Sequence, residues 1–280
     1  MSKSTFPVSE AKPLIEIPSY IPQIGFLGGE QGREINDSIQ RDYKGVKALQ
    51  IGNYKDGIVK GSNPFYAIAV QSRLPSGVSI ASQSDLETAM RIGSMDFSET
   101  YEDTGLVLRT DKEPNSYLAS NLMKQVKARG SKKMPVMIPL RGLELEADSN
   151  SPHGLAFKLG ENSELIYAPI LNNTNGNFSS QDVDEKTGLP SNLSGGNRTL
   201  YTRSDGLSGL YLYRFLGLDS DYGDLAGSGD SGRVVLVSTA EGVAPKNSDS
   251  YIKQVEQTYQ DEVKRLESIK NKAISEMQRK

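Results

Sequence analysis

The sequence predicts an α+β domain with two helices and short antiparallel strands, followed by a C-terminal amphipathic helix. Three observations carry this. Strand and helix signals alternate early and then give way to many short β-like runs, the order of an α+β chain rather than of repeated βα units. Leu210, Leu212, Leu216 and Leu218, with Arg214 among them, fall on one parity, while Tyr211, Tyr213, Phe215, Gly217 and Asp219 fall on the other. A period of two puts those sets on opposite faces of one extended segment. Finally, Val255, Tyr259, Val263, Leu266, Ile269, Ala273 and Met277 recur at three- and four-residue spacings, which makes one apolar helix face.

Composition removes several kinds of chemistry. A chain of 280 residues holds one large domain or two small ones and buries a core without staples. The net charge is -3, with 32 basic and 35 acidic residues, so no global basic footprint points to nucleic acid. There is no cysteine and one histidine, His153, which excludes disulfides, cysteine-ligated metals and cysteine nucleophiles. No cofactor is called for. The first residues lack the apolar core of a signal peptide, and no run of about eighteen apolar residues predicts a membrane span. Location is left open between the cytoplasm, a virion and export by a route not visible in sequence.

Taken in order, residues 1–42 are rich in Pro, Ser and Glu without a sustained period, and read as an N-terminal arm. Residues 43–245 form the domain. A strand is expected at 48–52, and a hairpin over 65–81 through Pro75, Ser76 and Gly77. Ser84 and Glu87 form a capping box for a helix that stops at Gly93. A strand at 105–108 precedes a second helix over 117–128, capped by Asn115 or Ser116 and closed by Gly130. The cations after it complement a helix C-terminus rather than marking an anion site. Strands are expected at 136–140, 143–146, 155–159 and 165–171, and a long polar loop over 172–198. The amphipathic helix occupies 246–280, with Ser248 and Asp249 suited to cap its start.

The stretch 206–237 carries the functional reading. Tyr211, Tyr213 and Phe215 would face solvent if the leucines face the core, and a contiguous aromatic patch marks a recognition surface. Three other motifs compete there. Residues 227–232 match G-x-G-x-x-G, but a strand-like run follows, whereas a dinucleotide loop must open a helix. Gly229-Asp230-Ser231-Gly232 echoes a serine-protease nucleophile with His153 upstream. Arg233 stands where that motif has its second glycine, however, and His153 sits in a turn-like Ser-Pro-His-Gly. Asp219, Asp221 and Asp224 miss the calcium-loop spacing, which leaves calcium open.

The pattern GLSGLxLxRxLxLxSxxxxLAxSxxxGRVVxVS over this stretch resembles the C-terminal segment of variable proteins of diversity-generating retroelements, of the archaeal and candidate-phylum type. The resemblance implies a C-type lectin fold and a non-enzymatic, receptor- or adhesin-like role toward a protein or surface ligand. It also implies that the x positions are diversified by adenine-directed mutagenesis. Carried over, those are Tyr211, Tyr213, Phe215, Gly217, Asp219, Asp221, Tyr222, Gly223, Asp224, Gly227, Gly229, Asp230 and Ser231. They hold only Tyr, Phe, Gly, Asp and Ser, all reachable from the Asn codon AAC by changing adenines. Arg214 and Arg233 are expected to be structural, bonding loop carbonyls or a carboxylate. Two alternatives remain. One is an inactive relative of formylglycine-generating enzymes, whose catalysis uses the cysteines missing here. The other is a structural or attachment protein whose arm and terminal helix, a possible oligomerisation element, anchor it.

Overall fold

The computed structural model describes residues 23–238 and scattered positions between 257 and 271. The predicted arm before residue 23 and most of the predicted helix at 246–280 lie outside the described residues. Within the compact unit Gln23–Ala240 the chain begins with β1 (Gln23–Phe26), α1 (Gly29–Asp42), β2 (Asn53–Lys55), β3 (Ile58–Lys60) and α2 (Pro64–Gln71). It continues with β4 (Val78–Ile80), α3 (Gln83–Arg91), β5 (Tyr101–Leu108), α4 (Ser116–Ala128), β6 (Val136–Pro139), β7 (Leu143–Ala147) and β8 (Leu155–Leu159). It ends with β9 (Ile166–Tyr167), β10 (Gly176–Phe178), β11 (Arg198–Tyr201), β12 (Leu207–Tyr213), β13 (Gly217–Asp219), β14 (Gly232–Arg233) and β15 (Val235–Ser238).

This is an α+β architecture. The main sheet runs β10-β11-β13-β12-β5-β6-β9, with β14 added parallel to the start of β5. A second sheet sets β15 between β1 and β4. Helices α1, α2 and α4 pack on one face of the main sheet through Ile39, Phe65, Ile68 and Leu122, with Leu106, Leu108 and Ile138 beneath them. The other face is buried with α3, through Leu86, Val107, Leu210, Leu212 and Leu218.

Four sequence expectations are corrected. The domain starts at Gln23, not residue 43: β1 pairs with β15, and α1 buries Ile35 and Ile39. The N-cap of α1 is Gly28, with no side-chain capping bond, so the start of this helix carries no sequence signal. Residues 65–70 are helix α2 rather than a strand. Asn63 caps it through Oδ1, which accepts from the Tyr66 amide at 2.8 Å, and Pro64 supplies a preset φ at its first position. Pro64 through Val70 are all buried, and an apolar run without period cannot distinguish a central helix from a strand. In α3 the capping box is Ser82 with Asp85, two residues earlier than read. Finally, residues 48–52 contain one helical turn, Lys47–Leu49, and no strand.

The helix read at 117–128 and the strands read at 136–140, 143–146 and 155–159 fall near their expected places, whereas the strand read at 165–171 is only Ile166–Tyr167, followed by a helical turn at Pro169–Leu171. The strand read at 105–108 begins earlier, at Tyr101. Residues 172–198 are ordered locally: β10 lies inside them, and Asp182 and Asp184 fold turns by accepting main-chain amides of Ser179, Lys186 and Thr187.

Candidate functional site

The expected single strand at 210–219 is a hairpin. β12 turns at Arg214–Leu216, where Phe215 and Leu216 both have φ 63°, and returns as β13. The alternation survives because Tyr213 pairs with Gly217, Leu212 with Leu218 and Tyr211 with Asp219. Leu210, Leu212 and Leu218 are fully buried, while Tyr213 is 41% and Phe215 82% exposed. The leucines lie in the core on the α3 side of the sheet, while on the opposite face the start of α2 reaches Gly209, where an added Cβ would meet Pro64 at 3.8 Å and Leu225 at 4.0 Å. Beyond that point the same face is open, and Tyr211 is the first side chain on it.

Four adjacent strands build the floor of this opening. Register places Asp103 of β5, Tyr211 of β12, Asp219 of β13 and Tyr201 of β11 side by side. Tyr101 and Tyr213 extend the row along the strands. The rings of Tyr101 and Tyr211 meet edge-on at 5.9 Å, and those of Tyr211 and Tyr213 at 6.0 Å. The four tyrosines and Asp219, with Asp221, Tyr222 and the chain from Gly227 to Gly229, line a cleft of about 640 Å³. That size is typical of ligand clefts, roughly 300–1,000 Å³.

The wall formed by residues 221–229 is held through its main chain by side chains from elsewhere. Asn115 Nδ2 donates to the carbonyls of Leu207 and Gly223 at 2.8 and 2.7 Å. Asn63 Nδ2 donates to Ala226 O at 3.0 Å, and Arg203 Nη1 to Asp221 O at 2.7 Å. The Tyr101 hydroxyl accepts from the Gly229 amide at 2.8 Å and donates to Ser62 O at 3.0 Å. Asn115 holds the N-cap position of α4, where its carbonyl accepts from the Ala119 amide at 2.8 Å, but at φ 63° its side chain makes no capping bond and serves this wall instead.

Two buried arginines tie the hairpin to the core. Arg109 donates to Leu171 O, to Ser208 Oγ and to both oxygens of Ser220, and Ser208 Oγ donates to Ser220 O. Arg198 makes a two-pronged pair with Glu87, both bonds at 2.6 Å, and donates from Nε to Leu216 O at the hairpin tip. Sequence reasoning named neither. It named Arg233, which does bond loop carbonyls (Asp230 O at 2.7 Å and Gly232 O), and Arg214. Arg214 is exposed and donates to Ser231 Oγ at 3.1 Å instead of to a carbonyl or carboxylate.

The carboxylates of the site divide. Asp219 Oδ1 accepts from the Asp221 and Tyr222 amides, and Asp224 Oδ1 from the Ala226 and Gly227 amides, so both fold local turns. Burial pushes the Asp219 carboxyl up from its ordinary value, against those hydrogen bonds. Burial also lifts Asp103 to about 6, although Ser62 Oγ donates to it at 2.6 Å. Among the described residues no group of three or more acidic or histidine side chains is placed to hold a metal. On the opposite face of β5, Glu102 is 1% exposed and, among the described residues, neither carboxylate oxygen has a hydrogen-bond partner. Burial raises its carboxyl to about 8, with Arg233 beside it in register.

Of the thirteen positions expected to vary, Tyr211, Tyr213, Asp219, Asp221, Tyr222, Gly227 and Gly229 line the cleft. Phe215, Asp224, Asp230 and Ser231 lie at the exposed tip or on the loop, outside the lining. Gly217 is buried, and a Cβ there would stand 3.0 Å from Thr199 O. Gly223 is confined by Pro114, 2.9 Å from an added Cβ. Tyr101 and Tyr201, which also line the cleft, were missed. Tyr101 heads a strand whose start was read four residues late, and Tyr201 follows the polar loop without any pattern.

The competing motifs find no support in the geometry. Residues 227–232 lead into strand β14 and open no helix. The His153 ring packs on Phe65, with centroids 5.2 Å apart, and Ser231 Oγ is engaged by Arg214. No protein-family model, curated protein or solved structure matches the chain.

Proposed function

We propose that this is a non-enzymatic binding protein of the diversity-generating-retroelement type, built on a C-type-lectin-like domain, that recognises a protein or surface ligand through the open end of its main sheet. The supporting observation is the way the cleft wall is fixed. Asn63, Asn115, Arg203 and Tyr101 grip peptide groups at Ala226, Gly223, Asp221 and Gly229, so these four anchors do not depend on the side chains the wall carries. The leucines of the hairpin specify the fold from below. Tyr211, Tyr213 and Tyr222 then provide rigid contact area at low entropic cost, and Asp221 provides charge selection.

Deep sequencing of the coding locus across a population tests this reading. Substitutions confined to adenines should accumulate at codons 211, 213, 215, 219, 221, 222, 224, 227 and 229–231 and spare the buried leucines. Uniform sequence across those codons refutes it.

A further inference from the structure

The cleft is anionic and aromatic at once. Five tyrosines and two aspartates line it, with no lysine, arginine or histidine among the lining residues. Asp103 adds a third carboxylate, opposite Tyr211 in register. Among the described ion pairs none involves Asp103, Asp219 or Asp221. The nearby arginines are used elsewhere: Arg203 donates to the carbonyls of Asp205 and Asp221, and Arg214 to Ser231 Oγ.

The ring geometry adds a second, independent feature. Tyr101 and Tyr211 are inclined at 68° and Tyr211 and Tyr213 at 76°. Successive rings therefore stand nearly at right angles, each pair in edge-to-face contact. The face of a ring is its negative side, and cations bind over it. Tyrosine rings clustered beside carboxylates that have no ion-pair partner among the described residues favour a positive group over a neutral or negative one. Tyr101 and Tyr201, two of the five lining tyrosines, lie outside the positions expected to vary, as does Asp103, so part of this character belongs to the scaffold.

We infer that the cleft recognises a lysine or arginine side chain presented on the surface of a protein ligand, with the cation seated among Tyr101, Tyr211 and Tyr213 and neutralised by Asp219 and Asp221. This rests on the reading of the open sheet end as the binding site and names the chemistry of what it binds.

Panning the full chain against a displayed random-peptide library, followed by calorimetry on the enriched peptides, tests it. Enrichment of Lys or Arg is expected. Replacing the enriched basic residue by norleucine should weaken binding about tenfold or more, as should Asp221→Asn, with affinity falling as salt rises. Enriched neutral or acidic peptides that lose binding on Tyr213→Ala would overturn the cationic specificity while leaving the binding site in place. Peptides indifferent to both Tyr213→Ala and Tyr222→Ala, or no enrichment at all, would overturn the site and the specificity together. Both tyrosines are solvent-exposed, so these variants keep the fold.

Discussion

Arg198 closes on Glu87 with two parallel 2.6 Å hydrogen bonds, both side chains buried, and thereby joins β11 to α3 directly beneath the hairpin tip. The same guanidinium reaches Leu216 O and lies 4.6 Å from the centre of the Phe178 ring. Removing one partner of such a pair strands a buried charge. Glu87→Gln is therefore expected to lower unfolding free energy by about 3–5 kcal/mol, measured by denaturant titration. Arg198→Lys should lose a similar amount, since a single ammonium cannot reproduce the fork.

The loop glycines should separate by space. An added Cβ at Gly232 would fall 2.6 Å from the Ser62 amide and 2.7 Å from the Tyr101 ring, whereas at Gly229 the nearest atom is 3.9 Å away. Gly232→Ala is expected to lower the melting temperature by several degrees, from strain on the order of 1–3 kcal/mol. Gly229→Ala should stay within about 0.5 kcal/mol of the parent. At Gly217 the Thr199 carbonyl stands 3.0 Å from the added carbon, so Gly217→Ala should fall between the two.

Tyr101→Phe removes one hydroxyl that serves both Ser62 O and the Gly229 amide. The expected cost is about 1–2 kcal/mol. The sharper readout is hydrogen exchange: the Gly229 amide should lose protection while core amides of β5 keep theirs.

Glu102 sets a pH dependence whose sign follows from burial. Its carboxyl lies at about 8 in the folded chain against an ordinary 4.5. Between those values the folded state holds the proton more tightly than the unfolded state, so stability declines as pH rises through this window. Asp103, lifted to about 6, adds to the same slope at its acidic end. Glu102→Gln should flatten the slope and raise stability at pH 8 by on the order of 2–4 kcal/mol, measurable as midpoints of urea unfolding at pH 5 and pH 8.

Sequence exposed what is periodic and hid what is not. The parity of Leu210, Leu212 and Leu218 against Tyr211 and Tyr213 was legible, because a pleated strand imposes it whatever it packs against. The turn dividing that run was hidden, because Phe215 and Leu216 adopt positive φ without a glycine or asparagine to announce it. Helix α2 was hidden because burial on all sides erases amphipathic period. The site was half legible for a related reason. Its variable wall is a contiguous stretch, but Tyr101, Asp103, Asn63 and Asn115 converge on it from residues more than ninety positions earlier in the chain. Nothing in local pattern distinguishes Arg198, which grips Glu87, from any surface arginine.

The grip of Asn63, Asn115 and Arg203 on the carbonyls of Ala226, Gly223 and Asp221 has an immunological consequence. Every amino acid carries that carbonyl. Two versions of this protein differing at Asp221, Tyr222, Gly229 and Asp230 would thus share these anchors and yet present different epitopes. An antiserum raised against the first would miss the second, while a calorimeter could scarcely tell them apart.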